Sequence, residues 1–370
     1  MKSRIGIEML GFEKTYRFPF KYDIPNYTSV FLEESFITKP WIKFIKRYIY
    51  LTIKRQKALE IHQIMPNHRN ILWINLAAPS LGDSLMDLSS RVLLEGKKVD
   101  LFTDKKNSSL YLDDYIFSRI FTRKAEVVQH KYDLVIVDSF STRSINIKTK
   151  ILPLNPFVGM FGYYNGPEVN RVLFSFHRMN QLLGYVKSET EINKVARPSM
   201  AIGIDNLISV EESKLPSSYI AIALGGEWAY RTYNKWGEVI DKLTKKNDKL
   251  NLVLVGSDNA KESAKTLIEA FPQDNIFNCV AKLTFNQTAQ IIKGANILLC
   301  CDGGLMHAAN AVNTPILPLF ARLTPLMQLT DSIQAFPLFD ATDVNNILVE
   351  EIIVKFIEAS KSVNNHLSGE

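Results

Sequence analysis

The chain has 370 residues, 46% hydrophobic and 22% charged, an ordinary globular composition with apolar mass for two cores. Its three cysteines, Cys279, Cys300 and Cys301, include no CxxC pair, and two are adjacent in an apolar run; this favours buried reduced thiols over zinc ligands or disulfides. The formal charge of +6 is concentrated at one end, since residues 1–70 hold 13 Lys/Arg against 6 Asp/Glu and the remainder 31 against 32, which argues against a generally basic nucleic-acid binder.

The N-terminus, "MKSRIGIEMLGFEKTYRF", lacks an apolar h-region, and no run of 18 apolar residues occurs. The expectation is a protein with neither a cleaved secretion signal nor a membrane span. Within residues 1–69, a basic aromatic-rich extension, lies "KPWIKFIKRYIYLTIKRQKALEI". Pro40 suits a first helical turn. At 100° per residue, Lys43, Lys46, Arg47, Lys54 and Lys57 fall on one face, opposite Trp41, Phe44, Ile45, Tyr48, Ile49 and Leu51. That pattern fits a helix lying on an anionic membrane. It fits equally a helix whose apolar face docks on the protein's own body, because periodicity does not distinguish the two partners.

Short apolar runs then alternate with helical stretches. "NILWINL" (70–76), "KKVDLFTD" (97–104), "YDLVIVDS" (132–139) and "KTKILPL" (149–154) are predicted strands of a first parallel sheet. "YIAIALGG" (219–226), "NLVLVGS" (251–257), "NIFNCVAKL" (275–283), "ANILLCC" (295–301) and "PILPLF" (315–320) predict a second. The fold class is therefore α/β, with two doubly wound domains at 70–200 and 216–340, joined by a polar connection at 187–218. An amphipathic helix over 343–363 completes the chain.

Open α/β sheets bind ligands at the carboxyl ends of their strands, which singles out four junctions. In "LAAPSLGDSLMD" (76–87), Asp83 is either a helix cap or a carboxylate available as general base. In "ALGGEWAYRTYNKW" (223–236), Gly225 and Gly226 let backbone N–H groups approach an anion, with Arg231 and Lys235 in reach of phosphate. In "VGSDNAKESA" (255–264), Glu262 is either a solvated helix residue or a partner for ribose hydroxyls. In "CDGGLMHAANAVNTP" (301–315), Asp302 ends a strand, Gly303 and Gly304 clear space, and a helix start with His307 in its first turn faces the same spot. Neither G-x-G-x-x-G after the first strand, nor a P-loop, nor D-x-D, nor H-E-x-x-H, nor G-x-S-x-G occurs. A Rossmann dehydrogenase, a P-loop kinase, a metal-chelating site and a serine hydrolase are all disfavoured.

The last segment resembles the D-[ST]-G-x-x-H signature of the bacterial heptosyltransferases, glycosyltransferase family nine. "ILWINLAAPSLGDSLMD" is similar to that family's opening strand and Gly-Asp loop, and "AKLTFNQTAQIIKGANILLC" to its turn, helix and strand. The resemblance covers about residues 70–340. It implies a GT-B fold, two Rossmann-like domains facing a cleft, with the last helix returning to the first, acceptor-binding domain. It implies metal-independent, cofactor-free, inverting transfer, usually of heptose from ADP-heptose to lipopolysaccharide core. Asp83 corresponds to the family's base. Asp302, Gly304 and His307, with Leu283 near adenine and Glu262, correspond to its donor site, in which Gly303 and Leu305 also lie. The implied partners are a nucleotide-diphosphate sugar, a lipopolysaccharide acceptor and, through Lys43, Lys46, Arg47 and Lys54, an anionic membrane on the cytoplasmic side. Gly303 departs from the family's Ser or Thr, "NLAAPS" offers no basic residue, and the phosphate loop is longer, leaving Arg231 and Lys235 as competitors. The alternatives are transfer of a hexose from another nucleotide, a nucleotide-sugar epimerase, or a non-catalytic nucleotide-sugar binder.

Overall fold

A computed structural model describes residues 39–163, 170–203, 215–272 and 275–367, with backbone alone at 39–41, 43 and 364–367. The chain divides into two compact units, Met1–Arg197 and Pro198–Glu370. The first is built on five parallel strands: β1 Asn70–Asn75, β2 Lys98–Thr103, β3 Phe117–Phe121, β4 Leu134–Ser139 and β5 Phe157–Gly162, in the order β3-β2-β1-β4-β5. The second holds six: β6 Ile220–Ala223, β7 Leu252–Val255, β8 Ile276–Asn278, β9 Ile297–Cys301, β10 Ile316–Ala321 and β11 Leu338–Asp340, in the order β11-β10-β9-β6-β7-β8. Central strands such as "LVIVDS" and "ILLCC" are buried along their whole length, as expected where helices cover both faces of a parallel sheet.

Among the described residues, the helices of seven or more residues are α1 Lys39–Ile53, α2 Leu81–Asp87, α3 Thr142–Ile151, α4 Arg171–Leu182, α5 Glu189–Val195, α6 Trp236–Lys246, α7 Lys261–Ala270, α8 Phe285–Gly294, α9 Gly304–Ala311 and α10 Val349–Leu367. The segment 149–154 is not a strand as its apolar run predicts. Ser141 caps α3 by accepting from the N–H of Ser144, and the helix runs to Ile151. Pro153 and Pro156 then exclude ladder pairing until Phe157. The strand predicted over 275–283 is confined to Ile276–Asn278, because the chain turns at Ala281 (φ 57°). Edge strands β3 and β11 are short and partly exposed, so neither carries the continuous apolar run that marks a buried strand.

The apolar face of α1 divides in two. Phe44 and Leu51 enter the first unit's core with Leu72, Val135, Phe157 and Tyr163, while Ile42, Ile49 and Ile53 stay 63%, 50% and 71% exposed. Arg47, assigned by pattern to the basic face, donates from Nη1 to the carbonyls of Tyr163 (2.7 Å) and Gly162 (3.3 Å). Lys46 is exposed and Lys54 is half-buried, its Nζ 5.6 Å from the Tyr50 ring. The side chains of Trp41 and Lys43 lie outside the described residues. Past α1, the buried Nζ of Lys148 donates to Gln56 Oε1 (2.6 Å), and burial lowers its pKa to about 8. No helix among the described residues is long and apolar enough to cross a membrane.

α10 starts at Val349, later than the predicted 343, because Val344–Asn346 form a separate 3-10 turn. The resemblance attaches this helix to the first domain. In the structure Val349, Ile352, Ile353 and Ala359 join the second unit's core with Val239, Leu319 and Ala321.

Candidate active site

In each sheet the strand order reverses direction once, between β1 and β4 and between β6 and β9. Such switch points leave a crevice at the strands' carboxyl ends. Three of the four junctions flagged in the sequence, those after β1, β6 and β9, begin there.

At the β1/β4 switch, the loop after β1 is held by its own backbone. The N–H groups of Leu76 (2.5 Å) and Ala77 (2.6 Å) donate to Oδ2 of Asp138, the buried residue near the end of β4. Burial raises the Asp138 pKa, against the opposing pull of these bonds. Arg143 Nη1 donates to the Leu76 carbonyl (2.9 Å). Ser80 is the N-cap of α2, its Oγ accepting from the N–H of Asp83 (3.2 Å), an arrangement that contributes about 1 kcal/mol. Because Ser80 provides the cap, the Asp83 carboxylate is not spent on it. Ser80 Oγ donates to Asp83 Oδ2 (2.5 Å), Arg171 Nη1 lies 3.6 Å from Oδ1, and the side chain remains 22% exposed. A carboxylate with one edge open to solvent and both oxygens flanked can accept a proton from a hydroxyl.

At the β6/β9 switch, Asp302 follows β9 and α9 starts two residues later. Asp302 does not cap α9: there is no side-chain cap bond, and its Oδ2 accepts instead from Arg231 Nη1 (2.9 Å) with the carboxylate 2% exposed. The first intrahelical bond runs from the His307 N–H to the Gly303 carbonyl (3.3 Å). The N–H groups of residues 304–306 therefore precede the ladder and can meet an anion. Gly303 is extended (φ 170°), and a Cβ there would meet nothing within 4 Å. The protein's own packing does not demand that glycine, so the space beside it is free for a ligand. Gly225 and Gly226 are different. Gly225 has φ +83°, and a Cβ on Gly226 would stand 2.5 Å from Thr232 Oγ1 and 2.8 Å from the Arg231 carbonyl. These glycines let the loop fold back so that Arg231 reaches Asp302.

Arg231 stands at the switch point on Asp302, whereas Lys235 Nζ donates to the Asn345 carbonyl (2.8 Å). His307 is buried in the first turn of α9, while Leu283 and Leu305 are half-buried. Glu262 is exposed in the first turn of α7, without a described contact to the other donor-site residues. Among the described residues no cluster of three or more His, Cys, Asp or Glu side chains could hold a metal.

Several neighbouring residues escaped the sequence. Asp138 had a legible signal, an acidic residue closing an apolar run as Asp302 does. Asp87, Arg143 and Arg171 had none, since each acts on another segment. Arg322 follows β10 with φ 67°, and its guanidinium lies 3.7 Å from the Tyr230 ring centroid, the ring that Arg231 also overlies at 5.5 Å. A left-handed arginine beside the donor junction is the kind of strain that gathers at functional sites.

Residues 166–333 match the family model described as glycosyltransferase family 9 (heptosyltransferase). No curated protein matches the sequence. Among solved structures, the chain is similar to the family 9 glycosyl transferase from Veillonella parvula DSM 2008 (14% identity, 82% of this chain and 100% of that one, TM-score 0.68). It is similar also to E. coli ADP-heptose lps heptosyltransferase II (16%, 79% and 99%, TM-score 0.65) and to E. coli heptosyltransferase WaaC with ADP (16%, 80% and 98%, TM-score 0.58). The two Rossmann-like units thus have the GT-B-like fold of those structures, and residues 166–333 are similar to glycosyltransferase family 9.

Proposed function

We propose that the protein transfers a heptose from ADP-heptose to the inner core of a lipopolysaccharide or lipooligosaccharide, by a single inverting displacement without a metal. The observation that carries this reading is the anion-ready helix start beside Arg231 in the second unit, and an open carboxylate at the first unit's own switch point supports it. Asp83 takes the proton from the acceptor hydroxyl as that oxygen attacks the anomeric carbon. The bond from the anomeric carbon to the diphosphate breaks, and the leaving diphosphate collects negative charge. The N–H groups at 304–306, His307 and Arg231 are the groups available to meet it. The donor choice leans on E. coli ADP-heptose lps heptosyltransferase II and on E. coli heptosyltransferase WaaC, solved with ADP-2-deoxy-2-fluoro heptose, both of similar fold.

The acceptor reading has its own support. A cavity of about 1070 Å³ in the first unit is lined by Leu76, Phe102, Lys105, Lys124, Arg143 and Asn146 among others. Asp104 and Glu126 also line it, the first paired with Arg143 and the second with Arg123, and Lys105 and Lys124 supply the basic groups that the loop "NLAAPS" lacks and that suit an anionic sugar. The exposed Ile42, Ile49 and Ile53 with Lys46 on α1 suit the surface of an anionic bilayer carrying that acceptor, which supports a site of action on the cytoplasmic face of the inner membrane.

The test is thermal shift in the presence of sugar nucleotides, since a bound donor stabilises by RT ln(1 + [L]/Kd), about 2.7 kcal/mol at 100 Kd. ADP-heptose is expected to raise the melting temperature more than any UDP-hexose, and transfer to heptose-free core should then be detectable by mass spectrometry. Greater stabilisation by a UDP-sugar would overturn the donor assignment and favour the hexosyl alternative.

A further inference from the structure

Asp83 and Asp87 lie four residues apart on α2, on one face and one turn from each other. Two carboxylates so placed repel, and Asp87 is 1% exposed. Arg171, the first residue of α4, lies between them. Its Nε (2.8 Å) and Nη2 (2.5 Å) both donate to Asp87 Oδ1, and Nη1 points to Asp83 Oδ1 at 3.6 Å. The guanidinium also sits 5.5 Å from the Phe161 ring, which stacks on Phe174 at 5.2 Å. A cation at the start of a helix works against the helix dipole, so this position is poor for α4 itself. Asn170 caps α4 by accepting from the N–H groups of Val172 and Leu173 (both 3.1 Å), and the helix does not need the arginine. Burial raises the Asp87 pKa to about 6, against the opposing pull of Arg171.

We infer that Arg171, anchored by the buried Asp87, is a positioning residue for the Asp83 carboxylate, fixing the orientation of the proposed base from the side opposite Ser80. Two of its guanidinium nitrogens, Nε and Nη2, donate to the anchor, and the third, Nη1, faces Asp83. Ser80 holds Oδ2 while Arg171 flanks Oδ1, so rotation about the terminal bond of Asp83 would break one contact or the other. This inference rests on Asp83 being the base.

The experiment compares Arg171→Lys, the double variant Asp87→Asn/Arg171→Met, and Asp83→Asn, with ADP-heptose as donor and heptose-free lipopolysaccharide core as acceptor. The double variant removes the buried pair together, so no charge is left stranded and folding is retained. Its kcat is expected to fall by roughly 10–100-fold, the scale of a misplaced catalytic group, with KM for both substrates within about twofold of the starting protein. Arg171→Lys, which keeps a cation there, is expected to recover most of that loss. A double variant with unchanged kcat overturns the inference, as does a loss confined to acceptor KM, which would make Arg171 a substrate contact. Full turnover by Asp83→Asn would instead remove the base assignment itself. An inactive Asp83→Asn beside a fully active double variant would sink only the positioning role.

Discussion

The two switch points are built on the same strand order and carry opposite chemistry. At β1/β4, buried acids dominate: Asp138 pins the loop, Asp87 anchors an arginine, and Asp83 is left with an open edge. At β6/β9, glycines and cations dominate, with Arg231 on Asp302, Arg322 stacked beside it and a helix start free of any side-chain cap. The first unit also carries α1, whereas the second carries α10 on its core. One topology thus provides two crevices, and the side chains after each strand give the first an open carboxylate and the second an arginine beside an uncapped helix start. The division matches a displacement, in which the attacking hydroxyl loses a proton while the leaving group gains charge.

That contrast can be broken one side at a time. The largest effect is expected from Asp83→Ala, which should lower transfer by about 10²–10⁴-fold while leaving ADP affinity, measured calorimetrically, unchanged. Retained transfer would show that the first switch point does not hold the base. Arg231→Ala comes next. It removes a charge-assisted contact worth about 1.5–3 kcal/mol, so ADP binding should weaken by roughly 10–100-fold. Lys235→Ala, whose Nζ is occupied by the Asn345 carbonyl, should change ADP affinity by less than about threefold. The reverse ranking would give Lys235 the phosphate. The smallest effect on chemistry is expected from Ile42→Glu/Ile49→Glu/Ile53→Glu. These changes should release the protein from vesicles containing anionic lipid in a sedimentation assay, without altering ADP binding. Undiminished vesicle binding would end the membrane role proposed for α1.

Much of the architecture was legible because buried parallel strands are continuous apolar runs. β1, β2, β4, β6, β7, β9 and β10 all lie within such runs, and glycine or an acidic residue marks several of their ends. What misled was local: 149–154 is apolar enough for a strand, yet Ser141 starts a helix there and two prolines postpone β5. β3 and β11 were missed because an edge strand needs burial on only part of its length. In α1 the apolar face had to be one surface by periodicity, but the body covers Phe44 and Leu51 and leaves three isoleucines outside.

By itself the sequence determined the α/β class, the order of the strands along the chain and the positions of Asp83 and of the glycine junctions, because each is written within a few consecutive residues. Only the tertiary structure decided which cation meets Asp302, that Ser80 rather than Asp83 caps α2, and that Arg171 stands between two carboxylates. Each of those outcomes depends on segments that are distant in sequence or on a side chain's choice among nearby partners, and neither spacing nor propensity encodes that choice.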